Sequence, residues 1–329
     1  EKQISKDIIL EAIENSLLAA CKNQFGKSEN IRVNIDRETG EVKVFADYEV
    51  VEDDMIEDDA LQIGITEAKL RFRDDVEVGE KVSTEVTPKN FGRIAAQKAK
   101  QVVVQKIREE ERKVLYVQYL EKEREVITGI VQRYSGKNVC INLGRVDAIL
   151  MESEQVRGEH FRPTEHIKLY VVEVKDTPKG PRITVSRSHP EFVKRLFEEE
   201  VTEIQDGIVT IESIAREAGS RTKIAVSTVD PNVDAVGACV GMNGSRVNAI
   251  VNELRGEKID IVNWSDMPEI FIENALSPAV VMDVSIDEYE KTARVIVPEN
   301  QLSLAIGKEG QNARLAAKLT GYKIDIKCE

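Results

Sequence analysis

Aromatic residues and long apolar runs are both scarce in this sequence. Phe, Trp and Tyr together make up 5% of the chain, and there is a single tryptophan. No apolar run approaches the roughly 20 residues that a membrane-spanning helix requires, so a membrane span is excluded. The shortage of aromatics in residues 125–190 also argues against a strong platform for stacking nucleic-acid bases there.

Cysteine and histidine are few and are poorly spaced for holding a metal ion. No two cysteines form a C-x-x-C pair, and no two histidines stand at the i, i+4 spacing of a helical pair. We therefore expect neither a metal site nor a disulfide framework, and we expect reduced thiols in a cytoplasmic protein. The residues concerned are Cys21, Cys140, Cys239, Cys328, His160, His166 and His189.

Catalytic signatures are missing as well. Gly307-Lys308 resembles the end of a phosphate-binding loop, but the neighbouring Leu302 and Glu309 break the pattern G-x-x-x-x-G-K-[ST]. Neither H-E-x-x-H nor G-x-S-x-G occurs. We predict a protein that is not an enzyme and that needs no cofactor.

The length and composition are those of a soluble protein with several domains. The chain has 329 residues, of which 41% are hydrophobic and 32% are charged, so we expect two to four domains. No charged-then-apolar leader opens the chain, and no secretory signal is expected. The chain begins at Glu1 without a methionine, and we expect that native terminal residues are missing from it.

The net charge of −13 is distributed unevenly along the chain. Residues 125–190 carry 10 basic and 8 acidic side chains, whereas residues 1–124 carry 21 and 27, and residues 191–329 carry 15 and 24. Only the middle segment is positive. Long-range attraction to nucleic acid should then be weak, so that binding must come from local loops and specific contacts.

Two Gly-x-x-Gly loops near the carboxyl end form the most informative motif. Each follows a short apolar segment and precedes a helical pattern, and the two copies lie 66 residues apart. A single Gly-x-x-Gly is often an ordinary connection between helices. Two copies at equal spacing in matching contexts favour KH modules, whose loop clamps about four single-stranded nucleotides. The loops are Gly241-Met242-Asn243-Gly244-Ser245-Arg246 and Gly307-Lys308-Glu309-Gly310-Gln311-Asn312.

The residue types in these loops suit the backbone of a nucleic acid. Glycine allows a phosphate to reach main-chain N–H groups at a helix N-terminus, where a side chain would block it. The helix dipole adds a positive potential at the same place. The guanidinium groups of Arg246 and Arg314 can pair with a phosphate or a base edge. Amides for hydrogen bonds to bases could come from Asn243, Gln311 and Asn312.

Residues 1–124 are predicted to form an α/β domain. An amphipathic helix over 4–25 precedes a hairpin that turns at Gly40, and a long amphipathic helix begins after Pro88 and continues to about Arg124. Eight acids and no base lie between residues 47 and 59. This acidic segment is open to two interpretations, a solvated mobile face or a docking surface for a basic partner.

Residues 125–190 change to short alternating strands separated by turns. Five such strands fit an OB-fold β-barrel, whose strand face and loops bind oligonucleotides. The predicted strands are 127–133, 138–143, 146–150, 167–174 and 182–186. The candidate RNA contacts in this barrel, each of which could equally be a plain surface residue, are Tyr134, Lys137, Arg145 and Arg187.

Residues 191–268 and 269–329 are predicted to be two KH modules of the bacterial kind, type II. In both, the pattern runs helix, strand, strand, helix, helix, strand, with the Gly-x-x-Gly loop between the last two helices. The linker at 264–268 is short, so the modules should pack rigidly and present one track for extended RNA. The predicted fold class is thus multidomain α+β: an α/β N-terminal domain, a five-stranded OB-fold barrel and two KH modules.

This combination resembles the NusA family of bacterial transcription factors over essentially the whole chain. The resemblance implies that residues 1–124 dock on RNA polymerase near its RNA exit channel. It also implies that the other modules hold single-stranded nascent RNA and favour pausing, termination or, with other Nus factors, antitermination. A monomer is expected. The most specific stretches are Pro88-Lys89-Asn90-Phe91-Gly92-Arg93-Ile94-Ala95-Ala96-Gln97, the first Gly-x-x-Gly loop, and Ile306-Gly307-Lys308-Glu309-Gly310-Gln311-Asn312-Ala313-Arg314.

Two other classes of function remain open from the sequence. An RNA-degrading enzyme resembling polynucleotide phosphorylase can also carry KH and OB modules, but it would need a large catalytic domain. Residues 1–124 offer no phosphate-binding or metal signature for one. A ribosome-assembly scaffold is the second alternative, and sedimentation with ribosomal subunits would favour it.

Overall fold

The computed structural model describes residues 5–25, 30–89 and 91–328. Internal contacts divide the chain into two compact units, Glu1–Val114 and Leu115–Glu329. Ile4 and Asn90, which belong to the predicted first helix and to a family-specific stretch, lie outside the described residues. Among the residues that are described, no helix is both long enough and apolar enough to cross a membrane.

The first unit is built on a four-stranded sheet. Strands β1 and β4 pair antiparallel with β2, while β3 pairs parallel with it. Its core lies where Leu17 and Cys21 of the first helix meet Val44 of the sheet and Phe91. The elements are α1 (Lys6–Phe25), β1 (Ile31–Ile35), β2 (Val42–Val51), β3 (Gln62–Gly64), α2 (Ile65–Arg71), β4 (Lys81–Glu85) and α3 (Phe91–Leu120).

The acidic segment 47–59 is not a mobile loop throughout, because β2 runs on to Val51 and pairs there with two other strands. Asp47 accepts hydrogen bonds from Arg32 at 3.3 Å and from Ser83 at 2.5 Å. Asp53 accepts a hydrogen bond of 3.1 Å from the main-chain N–H of Thr66, in the first turn of α2. Some of the acidic side chains in this segment therefore hold the fold together through hydrogen bonds, which the sequence pattern did not reveal.

The second unit opens with the predicted five-stranded barrel, which is closed in the order β5-β6-β7-β9-β8. Inward-facing apolar residues such as Val139, Ile141 and Leu169 are fully buried in it. Gly129 is required by close packing, since a Cβ there would lie 2.3 Å from a methyl carbon of Ile141. The strands are β5 (Val126–Ser135), β6 (Asn138–Asn142), β7 (Asp147–Leu150), β8 (His166–Lys175) and β9 (Arg182–Ser186).

The remainder of the second unit contains two copies of the α-β-β-α-α-β arrangement, the first with an additional short helix before its first strand, so the predicted type II KH modules are confirmed. In each three-stranded sheet the first two strands are antiparallel and the last two are parallel. The first copy comprises α4 (Pro190–Glu200), α5 (Thr202–Gln205), β10 (Val209–Glu217), β11 (Arg221–Thr228), α6 (Ala235–Val240), α7 (Ser245–Glu253) and β12 (Lys258–Asn263). The second comprises α8 (Pro268–Ala275), β13 (Asp283–Asp287), β14 (Thr292–Val297), α9 (Leu302–Ile306), α10 (Gln311–Thr320) and β15 (Lys323–Cys328).

The hydrophobic core of the second KH module extends onto the sheet of the first. Ala215 and Ala225 of the first sheet lie in the same buried cluster as Leu315 of α10. Across the same junction the buried ammonium of Lys223 donates to the carbonyl oxygen of Ser277 at 2.9 Å. These contacts agree with the rigid packing expected from the short linker.

Candidate nucleic-acid interface

The two Gly-x-x-Gly loops have the same backbone conformation. Their first glycines, Gly241 and Gly307, have φ/ψ of 74°/172° and 76°/170°. The third residue of each loop is left-handed, with φ of 52° at Asn243 and 53° at Glu309. The closing glycines have φ of 76° and 74°. The equal spacing in sequence thus reflects a structural duplication.

The first glycine of each loop is dictated by packing within the loop. A Cβ on Gly241 would lie 2.8 Å from Cγ of Arg246, and one on Gly307 would lie 2.8 Å from both Cβ and N of Asn312. Packing alone therefore requires glycine at these two positions, and access for a phosphate, the reason inferred from sequence, stays a prediction. At Gly310 the space is open, because the nearest atom that a Cβ would meet is Nη1 of Arg314 at 3.9 Å.

Neither loop places a side-chain cap on the helix that follows it, although the first N–H of each helix, that of Ser245 or Gln311, donates to a loop carbonyl oxygen. The residue preceding α7, and likewise that preceding α10, is a glycine, which has no side-chain oxygen to accept from the N–H groups of the first turn. These donors, together with the positive end of the helix dipole, suit an anion such as a backbone phosphate.

Several predicted contact residues surround these helix starts and are accessible. The side chain of Met242 is 84% exposed. The exposed residues of the two loops are Met242, Asn243, Ser245, Lys308 and Glu309. The loops therefore offer polar and apolar side chains beside the main-chain donors.

Asn312 does not face a ligand, and its predicted role of offering an amide to a base is wrong. It is 3% exposed, and its Nδ2 donates to the carbonyl oxygens of Leu276 and Ala305, each at 3.0 Å. Its counterpart in the first loop, Arg246, donates to the carbonyl oxygen of Ala238 at 2.6 Å and to Glu203 at 2.8 Å. Both side chains hold the loop against the preceding helix.

The second loop also meets residues of the first KH module. Arg314 donates to both carboxylate oxygens of Glu217, through Nε at 2.5 Å and Nη2 at 3.2 Å. Gln311 donates to Glu217 at 2.9 Å and to Oγ of Ser220 at 2.7 Å. The guanidinium of Arg314 holds the pKa of the Glu217 carboxyl below its usual range. No sequence signal pointed to Glu217, which precedes Arg314 by 97 residues.

A cavity of about 390 Å³ lies beside the second loop, between the two modules. Lys258 from the first module and Lys308 from the second are exposed at its wall. Arg221 also lines it but is held by Asp260 through two hydrogen bonds of 2.7 and 2.9 Å. The cavity therefore combines exposed positive charge with the main-chain donors of the loop.

The candidate residues of the barrel do not gather at one site. Lys137 precedes β6 and pairs with Glu152 at 2.8 Å, which raises the pKa of the lysine. Tyr134 is 45% exposed, and its hydroxyl accepts from the main-chain N–H of Phe161. Arg145 is exposed in the turn after β6, at the opposite end of that strand from Lys137.

Arg187 is not an RNA contact, because it is only 1% exposed. Its guanidinium donates to Glu159 at 2.6 Å and to Glu253 at 3.0 Å. Burial disfavours its charge, but the two carboxylates outweigh burial and raise its pKa. The sequence marked it as a basic residue after a strand, and only the packing shows that it points inward.

Sequence reasoning missed a cavity of about 370 Å³ on the barrel. It lies against β7, β9 and the loop between β8 and β9, a region that OB folds use for oligonucleotides. Ile149 and Met151 are 52% and 40% exposed there, beside Lys179 and Arg182. Outward-facing apolar residues in an alternating strand were the signal that could have revealed it.

Comparison with known proteins identifies the family of the chain. Family models match residues 1–113 as NusA N-terminal domain, 187–264 as NusA-like first KH domain and 268–329 as NusA-like second KH domain. The transcription termination/antitermination protein NusA of Bacillus subtilis is 56% identical over 329 residues, covering 100% of this chain and 88% of that protein. The chain belongs to the NusA family.

Other NusA proteins show similar relationships. That of Halalkalibacterium halodurans is 54% identical, over 100% of this chain and 85% of its own length. That of Thermus thermophilus is 42% identical, over 98% of this chain and 86% of its own length. The family resemblance inferred from the sequence is confirmed, and both Gly-x-x-Gly loops fall within segments matched by NusA-like KH models.

Proposed function

We propose that this chain is an RNA-binding transcription factor that associates with RNA polymerase. By contacting nascent RNA it modulates elongation, pausing, intrinsic termination and antitermination. Support comes from NusA relatives that carry the name transcription termination/antitermination protein, and from KH modules, which clamp single-stranded nucleic acid. The activity belongs in the cytoplasm, in a monomer acting with polymerase and, in antitermination, with other Nus factors.

The observation that carries the proposal is a pair of loops with the same backbone conformation, each followed by a helix without a side-chain cap. Backbone phosphates approach the first-turn N–H groups of α7 and α10 beside Gly244 and Gly310. At the first loop, the RNA is contacted by Met242, Asn243 and Ser245. At the second loop, the contacts are Lys308, Glu309, Gln311 and Arg314.

Separate roles for the modules follow from their charge. Residues 191–329 carry 24 acids against 15 bases, so their attraction for RNA at a distance is weak. Docking of residues 1–124 on polymerase keeps the RNA-binding modules beside emerging RNA, where a high effective concentration compensates for a weak grip. The barrel, residues 125–190, adds contacts through Tyr134, Lys137 and Arg145.

The test is to place a negative charge where a phosphate should lie. Gly310→Asp and Gly310→Asn have almost the same shape, and Asp and Asn both tolerate the left-handed backbone better than most residues. We expect the Asp variant to bind labelled single-stranded RNA on the order of tenfold more weakly than the Asn variant, about 1.4 kcal/mol. Fluorescence anisotropy at constant salt measures the difference.

The same pair at Gly244 tests the first loop. Melting curves confirm that each variant is folded before its affinity is compared. Equal affinities for the Asp and Asn variants at both loops would show that phosphate does not bind there, and the proposed clamp would fail.

A further inference from the structure

The second loop contains a carboxylate that its own module does not supply. Glu217 ends β10 of the first KH module, and it accepts three hydrogen bonds from the second module: two from Arg314 and one from Gln311. Arg314 also donates to the carbonyl oxygen of Glu309 at 3.1 Å, so its guanidinium lies against the loop itself. Glu217 thus lies directly beside the proposed phosphate site.

A carboxylate in this position competes with phosphate. The planar fork of an arginine binds carboxylate and phosphate oxygens in the same two-pronged geometry. The Nε and Nη2 donors that Arg314 would offer to a phosphate are already engaged by Glu217. The amide of Gln311, at the first turn of α10, is engaged as well.

The pair is placed so that exchange is feasible. The side chain of Arg314 is 47% exposed and that of Glu217 is 23% exposed. Ion pairs open to solvent contribute little net stability, so replacing one partner by another costs little. The buried pair between Arg187 and Glu159, with exposures of 1% and 3%, could not exchange in this way.

The first loop lacks the equivalent arginine. The residue 66 positions before Arg314 is Asn248, which is neutral. Near the first loop, Arg246 pairs with Glu203. Arg246 corresponds in position to Asn312, and the side chain of Asn312 packs behind its loop. A displaceable acid beside the proposed phosphate site therefore distinguishes the second loop from the first.

We propose that Glu217 is a competitor for RNA phosphate at the second loop. In the free protein it holds Arg314 and Gln311, and a backbone phosphate in the correct register displaces it. This inference rests on the proposed function and concerns the regulation of the same site. Glu217 neutralises Arg314 until a phosphate displaces the carboxylate. A polyanion that cannot place a phosphate on Arg314 should therefore bind less tightly.

Replacing Glu217 by Gln removes the charge and keeps an amide oxygen for Gln311. We expect Glu217→Gln in the intact chain to bind single-stranded RNA several-fold more tightly than the unmodified protein. The slope of log K against log salt should stay nearly the same, because once Glu217 is displaced a phosphate contacts Arg314 in both proteins. The matched control is Glu212→Gln, an exposed acid on the same strand that accepts from Ser227 and should change neither quantity.

Repeating the substitution in a variant that lacks Arg314 distinguishes competition with phosphate from a structural role of Glu217. With Arg314→Gln already present, Glu217→Gln should have no further effect on affinity or on the salt slope. Unchanged or weaker binding by Glu217→Gln would overturn the proposal, and weaker binding would identify Glu217 as a tie between the modules. Absence of RNA binding by the unmodified chain would instead refute the proposed function.

Discussion

Position 312 lies two residues after the closing glycine of the second loop, and position 246 lies two residues after that of the first. In both, the side chain turns back beneath the loop towards a carbonyl oxygen of the preceding helix, that of Leu304 or of Ala238. At the second loop the donor is the amide of Asn312, which is neutral and buried. At the first loop the donor is the guanidinium of Arg246, whose charge is balanced by the nearby Glu203. The two residues keep the same backbone geometry by different chemistry.

Exchanging the amide of Asn312 for a carboxylate should destabilise the second KH module. Asn312→Asp loses a donor to two buried carbonyl oxygens and places negative charge beside them, at a cost on the order of 1–3 kcal/mol or more. Urea denaturation measures the change in the free energy of unfolding. Asn243→Asp, at an exposed loop position, is the control and should change it little. Equal losses in the two variants would show that the buried donor is not needed.

At the scale of elements, α7 links the first loop to the barrel. The helix begins at Ser245 beside the loop and ends at Glu253, whose carboxylate and carbonyl oxygens both accept from Arg187. Just beyond it, Arg255 donates to Glu165 of the barrel at 2.6 Å. The orientation of the helix start at the proposed RNA site is therefore set partly by the barrel.

Removing Arg187 should be costly because it leaves a buried acid without its partner. Glu159 is almost fully buried, so Arg187→Ala should lower the free energy of unfolding by about 3–5 kcal/mol. The double variant Arg187→Met with Glu159→Gln should recover much of this loss. Thermal unfolding measures both. Lys168→Ala, which breaks an exposed pair with Glu199, is the control and should cost less than about 1 kcal/mol.

Should Arg187→Ala prove no more costly than Lys168→Ala, the buried network would not be what joins α7 to the barrel. The double variant restores much of the side-chain volume and removes the unpaired charge. If it is as unstable as Arg187→Ala, the lost hydrogen bonds of the guanidinium are responsible, and the uncompensated carboxylate is not.

At the scale of the whole molecule, the two KH modules behave as one body, since Ala225 of the first sheet and Leu315 of α10 belong to one buried cluster. A rigid pair presents its two loops at a constant separation, which suits an extended strand bound at both. Residues 1–114 form a compact unit of their own. A division between a polymerase-docking part and an RNA-reading part therefore agrees with the division in the fold.

The docking role predicts a complex with polymerase that does not depend on RNA. The intact chain and residues 1–124 should both retain RNA polymerase from a bacterial extract treated with ribonuclease, whereas residues 125–329 should not. Pull-down at low salt followed by immunoblotting of polymerase subunits measures retention. Failure of residues 1–124 to retain polymerase would count against docking there, and co-sedimentation of the intact chain with ribosomal subunits would favour the assembly scaffold.

The barrel strands, the order of elements in both KH modules and the location of the loops could all be predicted from sequence. These features depend on alternation, helical periodicity and glycine spacing, which act over a few residues. The predicted long helix ended near Arg124 and in fact ends at Leu120, an ordinary uncertainty at a helix end. The strand β2 extends to Val51, into the acidic segment that the sequence left open to interpretation as a mobile face.

Local patterns in the sequence are enough to predict the backbone: a barrel, two KH folds and two Gly-x-x-Gly loops. Which polar side chains face outward depends instead on how distant parts of the chain pack together. Arg187, Asn312 and Glu217 have their partners 28, 36 and 97 residues away, at Glu159, Leu276 and Arg314. Burial and charge pairing depend on residues that meet only after the chain has folded, so no local pattern could distinguish a buried arginine from an RNA contact.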